Sequence, residues 1–152
     1  MSAQQQMQQL SQQLQALDEE IEALEAEIEQ KREEKQSMDE AVEALELLES
    51  GSTVQVPLGG GAHVRAEVLD IDEVVVTLGG GYAAERDQED AVETLKNKKE
   101  LVDEEISDLQ DEVAELEEQS QQIEQQAQQM QQQQMQQQMQ QMQQQQGEGD
   151  EQ

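Results

Sequence analysis

The sequence contains no cysteine, no phenylalanine and no tryptophan, with a single tyrosine, a single proline and a single histidine. Without cysteine there is no disulfide, no thiol nucleophile and no thiolate metal site. Without large aromatics the usual filling of a compact globule is missing. So are the aromatic platforms on which single-stranded nucleic acid stacks. Positive charge is equally scarce: eight basic residues stand against 37 acidic ones, a net charge of −29. Such a surface repels phosphate backbones and anionic lipid, so neither a nucleic-acid nor a membrane partner is expected. No apolar run approaches the ~20 residues of a membrane span, and no signal-peptide core is present. A cytoplasmic location is therefore expected. The hydrophobic fraction is 34%, against roughly 45–50% in ordinary globular domains, which speaks against a single-core enzyme domain.

The acid excess has a second implication. About a quarter of the residues are acidic, and in ordinary buffer they repel one another. The Debye length shrinks from about 10 Å at 0.1 M salt to about 3 Å at 1 M, so the composition suits a cytoplasm of molar salt, that of a halophile. An acidic disordered chain is the alternative, and the periodicity argues against it.

Met7, Leu10, Leu14, Leu17, Ile21, Leu24 and Ile28, then Lys31, Lys35, Met38, Val42 and Leu45, follow steps of three and four without a slip. That is a heptad seam on a Gln/Glu background of good helix formers. Gly51 is a plausible helix stop. A second seam runs through Val92, Leu95, Lys99, Val102, Ile106, Leu109, Val113, Leu116, Ser120, Ile123, Ala127 and Met130, preceded by Asp87 at an N-cap position with Asp90 in the first turn. Each seam spans 39 residues. Residues 18–50 hold 14 acids and three bases, and residues 87–118 hold the same. Equal length and equal charge make the helices partners within one chain, folded back antiparallel so that Leu45 faces Val92 and Met7 faces Met130. Each would be about 57 Å long at 1.5 Å per residue.

Between the helices the pattern changes. Thr53–Leu58, Ala62–Val68, Val74–Leu78 and Tyr82–Arg86 read as strands, and Leu-Gly-Gly-Gly at 58–61 recurs at 78–81. The centre is therefore two tandem hairpins, each turning on three glycines, with Pro57 confined to an edge or an end. Four short strands cannot bury enough to stand alone, and their open edges invite another chain. Val54, Val56, Leu58, Val64, Val68, Val74, Val76, Leu78 and Tyr82 are the expected assembly residues, pairing with equivalent segments and ideally closing a barrel. The fold class is mainly α with a small β module: an antiparallel intrachain coiled-coil hairpin joined by two tandem β-hairpins. The expected divisions are residues 1–50, 51–86, 87–130 and a flexible Gln/Met-rich, acidic tail at 131–152, irregular from Gly147 onward.

Few motifs carry chemistry. Gly79-Gly80-Gly81-Tyr82-Ala83-Ala84 fits a loose dinucleotide pattern, but it leads into a strand rather than a helix, beside Glu85 and Asp87. No cofactor is expected. His63 has no second histidine or cysteine for a metal or a relay and reads as a strand-surface residue. The carboxylates are those of a solvated coil, and Asp70-Ile71-Asp72 lacks the rest of a calcium loop, so no metal and no catalytic residue is assigned. Lys31, Lys35 and Lys99 lie in the seam, where polar residues weaken pairing but specify register; a hinge or partner contact is the other reading. Met7 and Met130 either close the last seam layer or join an exposed surface. Met135, Met139 and Met142 fall beyond the residue opposite Met7, in a stretch with 20 glutamines among residues 119–146. They read either as an adaptable apolar surface or as low-complexity drift.

Helix, two tandem hairpins and an equal returning helix, with Val56-Pro-Leu-Gly-Gly-Gly-Ala-His-Val-Arg-Ala66 and Val76-Thr-Leu-Gly-Gly-Gly-Tyr-Ala-Ala-Glu-Arg86, resemble the archaeal prefoldin alpha subunits over about residues 5–130. The resemblance implies an ATP-independent chaperone and not an enzyme. It implies a hexamer of two alpha and four beta subunits joined by a double β-barrel, with prefoldin beta subunits, non-native client proteins and a group II chaperonin as partners. Clients would be held at the coil tips, placed here at Met7, Leu10, Leu14, Ile123, Met130, Met135, Met139 and Met142. A coiled-coil tether without client-holding activity is the alternative. The Gln/Met extension and the acidity depart from the family pattern.

Overall fold

The computed structural model describes residues 2–149. Helix α1 spans Ala3–Leu47; strands β1 (Thr53–Gly59), β2 (Ala62–Glu67), β3 (Val74–Gly79) and β4 (Tyr82–Arg86) follow; helix α2 spans Gln88–Gly149. The chain divides into two units. One is built from residues up to Ile28 and from Asp108 onward, and the other is Glu29–Ser107.

Helix ends are set by local chemistry. Ser2 Oγ accepts from the Gln5 N–H, and Gln5 Oε1 accepts from the Ser2 N–H, both at 3.3 Å. This is a reciprocal capping box. The Asp87 carboxylate accepts from the Asp90 N–H at 2.8 Å, the N-cap expected from sequence. α1 ends at Leu47, four residues before the stop expected at Gly51, whose φ of 89° lies in the following turn; the Gln88 side-chain amide donates to the Leu45 and Leu48 carbonyls. One glutamine thus satisfies two of the acceptors that a helix end leaves open.

All 24 expected seam positions are buried or half-buried. In the first unit Ile28 and Val113 are buried, with Ser120 a small polar residue in the same seam. In the second unit Met38, Val102 and Ile106 are buried. No large side chain among those described is completely enclosed. A two-helix seam shields only one stripe of each helix, so each layer contributes less than the 1.5–3 kcal/mol of a fully buried aliphatic side chain.

The β segment forms two separate two-stranded antiparallel sheets, β1–β2 and β3–β4. Pairing runs from Thr53↔Glu67 to Pro57↔His63 and then jumps to Gly59↔Ala62, leaving Leu58 as a bulge. The second hairpin does the same, from Thr77↔Ala83 to Gly79↔Tyr82, with Leu78 bulged. Gly60 and Gly61 have φ 58° and 82°, and Gly80 and Gly81 have 60° and 81°. These are type I′ two-residue turns, whose twist matches the strands. The repeated Leu-Gly-Gly-Gly therefore codes a bulge, a ladder-closing glycine and a turn, in that order. Open space surrounds Gly60, so Gly60→Ala meets only backbone strain. We expect a loss of about 1 kcal/mol, measured by thermal unfolding in molar salt.

The division expected at residue 130 is not a helix end. α2 continues through Gly149, so residues 131–149 are helical, including Gly147–Gly149, where the sequence suggests an irregular end. Glutamine and methionine are good helix formers, and no glycine or proline interrupts residues 82–146. The rest of the expected irregular end, residues 150–152, lies outside the described residues. Among the described residues no helix is long and apolar enough to cross a membrane.

Candidate functional site

Two surfaces carry the residues singled out from sequence, one in each unit. In the second unit, three seam lysines reach across to acids on the opposing helix. Lys31 meets Glu105 at 2.6 Å, Lys35 meets Asp103 at 2.5 Å and Lys99 meets Asp39 at 2.6 Å. Their partner numbers add to 136 or 138, as antiparallel pairing with opposed positions adding to 137 requires. The Lys99 ammonium is held above its usual range, chiefly by its hydrogen bond to Asp39; desolvation opposes this, and the charges of Asp39 and Asp103 add to the rise. Whatever stability this ammonium adds is present at neutral pH and is lost only as pH rises through its elevated folded value. Exposed pairs are worth roughly 0.2–1 kcal/mol each, so their main effect is to select register.

The hairpins present a graded surface. Val54, Val68 and Val74 are half-buried, and Val76 is buried at 5% exposure. Val56 and Val64, direct cross-strand partners, are 41% and 47% exposed. Leu58, Leu78 and Tyr82 are 69%, 46% and 76% exposed. Each sheet has only two strands, so every strand keeps one edge without a ladder partner among the described residues. The nine residues named from sequence therefore separate: Val76 supports the fold of its own chain, while Leu58 and Tyr82 lie open. Sequence reasoning passed over Val75, Leu47, Leu69 and Leu101, all largely exposed. For Val75 the run Val74-Val75-Val76 carries no alternation from which an inward face could be read.

A further row on α2 was also missed. Ala91 is fully buried, with Thr94 and Lys98 half-buried at helical spacing beside the seam. Lys98 Nζ donates to the Thr77 carbonyl of β3 at 2.6 Å. An alanine, a threonine and a lysine do not look like a core row, but their small size or long stem lets a strand approach the helix.

In the first unit, Met7, Leu10, Leu14, Ile123 and Met130 all lie half-buried in the seam. A shallow open groove there is lined by Gln6, Gln9, Leu10, Gln13, Gln126, Gln129, Met130 and Gln133. Met135, Met139 and Met142 are different, with 68%, 68% and 70% exposure. The last half-buried position of the seam is Gln134, and every residue from 135 to 147 is exposed, so the three methionines lie on the part of α2 that runs past the seam. Steps of four and three place them on one face. The eight residues named from sequence thus divide into five within the seam and three on a separate apolar row.

The comparisons with known proteins come to one family. A model of the prefoldin subunit family, "Prefoldin subunit", matches residues 17–133. A prefoldin subunit alpha of Halorubrum lacusprofundi is 66% identical over 108 residues, 71% of each chain. That of Haloarcula marismortui is 65% identical over 80 residues, 53% of this chain and 52% of the other, so this match spans about half of that protein's length. That of Halobacterium salinarum is 65% identical over 106 residues, 70% of this chain and 69% of the other. All three sources are halophilic archaea. Among solved structures, filamentous PFD from Methanocaldococcus jannaschii shares 30% identity, covering 74% of this chain and 90% of that one, with a TM-score of 0.49.

Proposed function

The chain belongs to the prefoldin family, and from that premise we propose that it is the alpha-type subunit of a nucleotide-independent holding chaperone in the cytoplasm of a halophile. The hairpin unit joins it to sister subunits, expected to be two alpha and four beta chains. The open edges of β1–β4 and the exposed Leu58 and Tyr82 support that role. The terminal unit contacts non-native proteins, which then pass to a group II chaperonin. The observation that carries this reading is the row Met135, Met139 and Met142, largely exposed on a helix that runs on to Gly149.

The chemistry fits a holder. Methionine is unbranched and polarisable, so it adapts to unlike apolar partners without demanding one shape. Glutamine around it adds hydrogen-bonding capacity without charge. Several weak rows in one assembly hold a client by effective concentration while each contact stays reversible. No step needs hydrolysis, and the family is not a known enzyme family.

The test is truncation after Met130, which spares all 24 seam positions. Co-assembled with a beta-type subunit in molar KCl, the truncated chain is expected to reach the same mass as the full chain. Its capacity to keep a diluted, denatured protein soluble without nucleotide should fall at least several-fold. Undiminished capacity would refute the assignment of this segment and leave a coiled-coil tether as the better reading.

A further inference from the structure

We propose that Met135, Met139 and Met142 form a methionine-oxidation site through which peroxide-class oxidants switch off the apolar face of the terminal unit; the functional half of this rests on the client-holding reading above.

The chain has no cysteine, so methionine thioethers are its only sulfur. Their accessibility is sharply unequal. Met38 is buried in the seam at 8% exposure, Met7 and Met130 are half-buried, and the three row methionines are 68–70% exposed. Thioether oxidation follows access.

The reaction is balanced without a cofactor. The sulfur donates an electron pair to one peroxide oxygen, the O–O bond breaks and an S–O bond forms. The second peroxide oxygen leaves as water after proton transfer. Sulfur is oxidised by two electrons and the peroxide is reduced by two. The product sulfoxide is polar and chiral where the thioether was apolar and flexible. Three sulfoxides on one face convert an apolar row into a polar one. The row makes no seam contact, so the helix pairing survives. Oxidation of Met38 would instead damage the coil, and that contrast separates a switch from a lesion.

The experiment uses the full chain in its assembly in molar KCl, titrated with hydrogen peroxide. Peptide mass mapping is expected to show sulfoxide at 135, 139 and 142 roughly tenfold sooner than at Met38, with the helical circular dichroism unchanged. Holding of a denatured protein should fall several-fold and return on treatment with methionine sulfoxide reductase. M135L/M139L/M142L should show no peroxide-dependent loss relative to its own untreated level. Equal oxidation rates at Met38 would overturn the site. If M135Q/M139Q/M142Q has lost holding but the oxidised parent has not, the switch alone is wrong. If M135Q/M139Q/M142Q holds as well as the parent, the client-holding reading of this face falls and takes the switch with it.

Discussion

Transfer from molar KCl to a buffer of 0.1 M salt or less is expected to strip the isolated chain of most of its cooperative helicity. Two charges 10 Å apart in water interact by about 0.4 kcal/mol. Screening reduces this to about 0.15 kcal/mol at 0.1 M and to roughly 0.02 kcal/mol at 1 M. Summed over about thirty neighbouring acid pairs, the repulsion is then about 4 kcal/mol in the dilute buffer and below about 1 kcal/mol in the concentrated one. Salt also weakens the three cross-helix pairs of Lys31, Lys35 and Lys99, but these are few, all reside in one unit, and surface pairs stabilise only weakly. With 37 acids against eight bases, repulsion decides the sign. A seam with no fully enclosed large side chain has little reserve against such a loss. Far-ultraviolet circular dichroism across a KCl series tests this, and an unchanged signal would remove the argument. A second arm isolates the cause. Lowering the pH of the dilute buffer toward the isoelectric point of about 4.1 neutralises carboxylates without adding salt. Helicity should return there as well. Recovery in salt but not in acid would point to strengthened apolar burial instead of screening.

Much of this molecule is legible from its sequence because its periodicities are long and uninterrupted. Steps of three and four from Met7 to Leu45 and from Val92 to Met130 mark 24 positions that are all buried or half-buried, to which the structure adds Gln134, and equal lengths state the register that Lys35–Asp103 and Lys99–Asp39 realise. The hairpins were readable because the turn geometry admits little but glycine at φ near 60° and 80°. What escaped did so for physical reasons. The Gln-rich segment reads as a flexible tail from composition alone, although glutamine and methionine have no local reason to leave a helix that has already nucleated. Ala91, Thr94 and Lys98 are invisible as a packing row because none is a large apolar residue, and the bond from Lys98 to the Thr77 carbonyl joins elements distant in sequence. In the terminal unit, composition located the methionines, but only the burial pattern, half-buried last at Gln134 and exposed from 135 to 147, showed where the seam stops. Burial also divided the assembly residues, since a strand pattern cannot tell Val76, covered by its own chain, from Leu58, left open.

That division makes the double variant L58D/Y82D the sharpest probe of assembly. Both side chains are mostly exposed in the single chain, at 69% and 76%, and Leu58 occupies a bulge outside the ladder. Their replacement should therefore alter the stability of the isolated helical hairpin by no more than about 0.5 kcal/mol each. On the proposed reading, the same positions meet sister subunits in the assembly. Losing two buried apolar side chains costs about 3–6 kcal/mol, and burying carboxylates in their place adds a desolvation penalty. Affinity is then expected to fall by at least about a hundredfold to ten-thousandfold, since each 1.4 kcal/mol is a factor of ten. Light scattering of the chain co-expressed with a beta-type subunit in molar KCl should show loss of the large species with helical content retained. Val76→Asp provides the contrast. Its parent side chain is 5% exposed, so a buried charge should damage the β3–β4 hairpin before any partner is involved. An L58D/Y82D chain that still assembled at full mass would mean that sister subunits join through some other surface, and the open edges of the two hairpins would need another explanation.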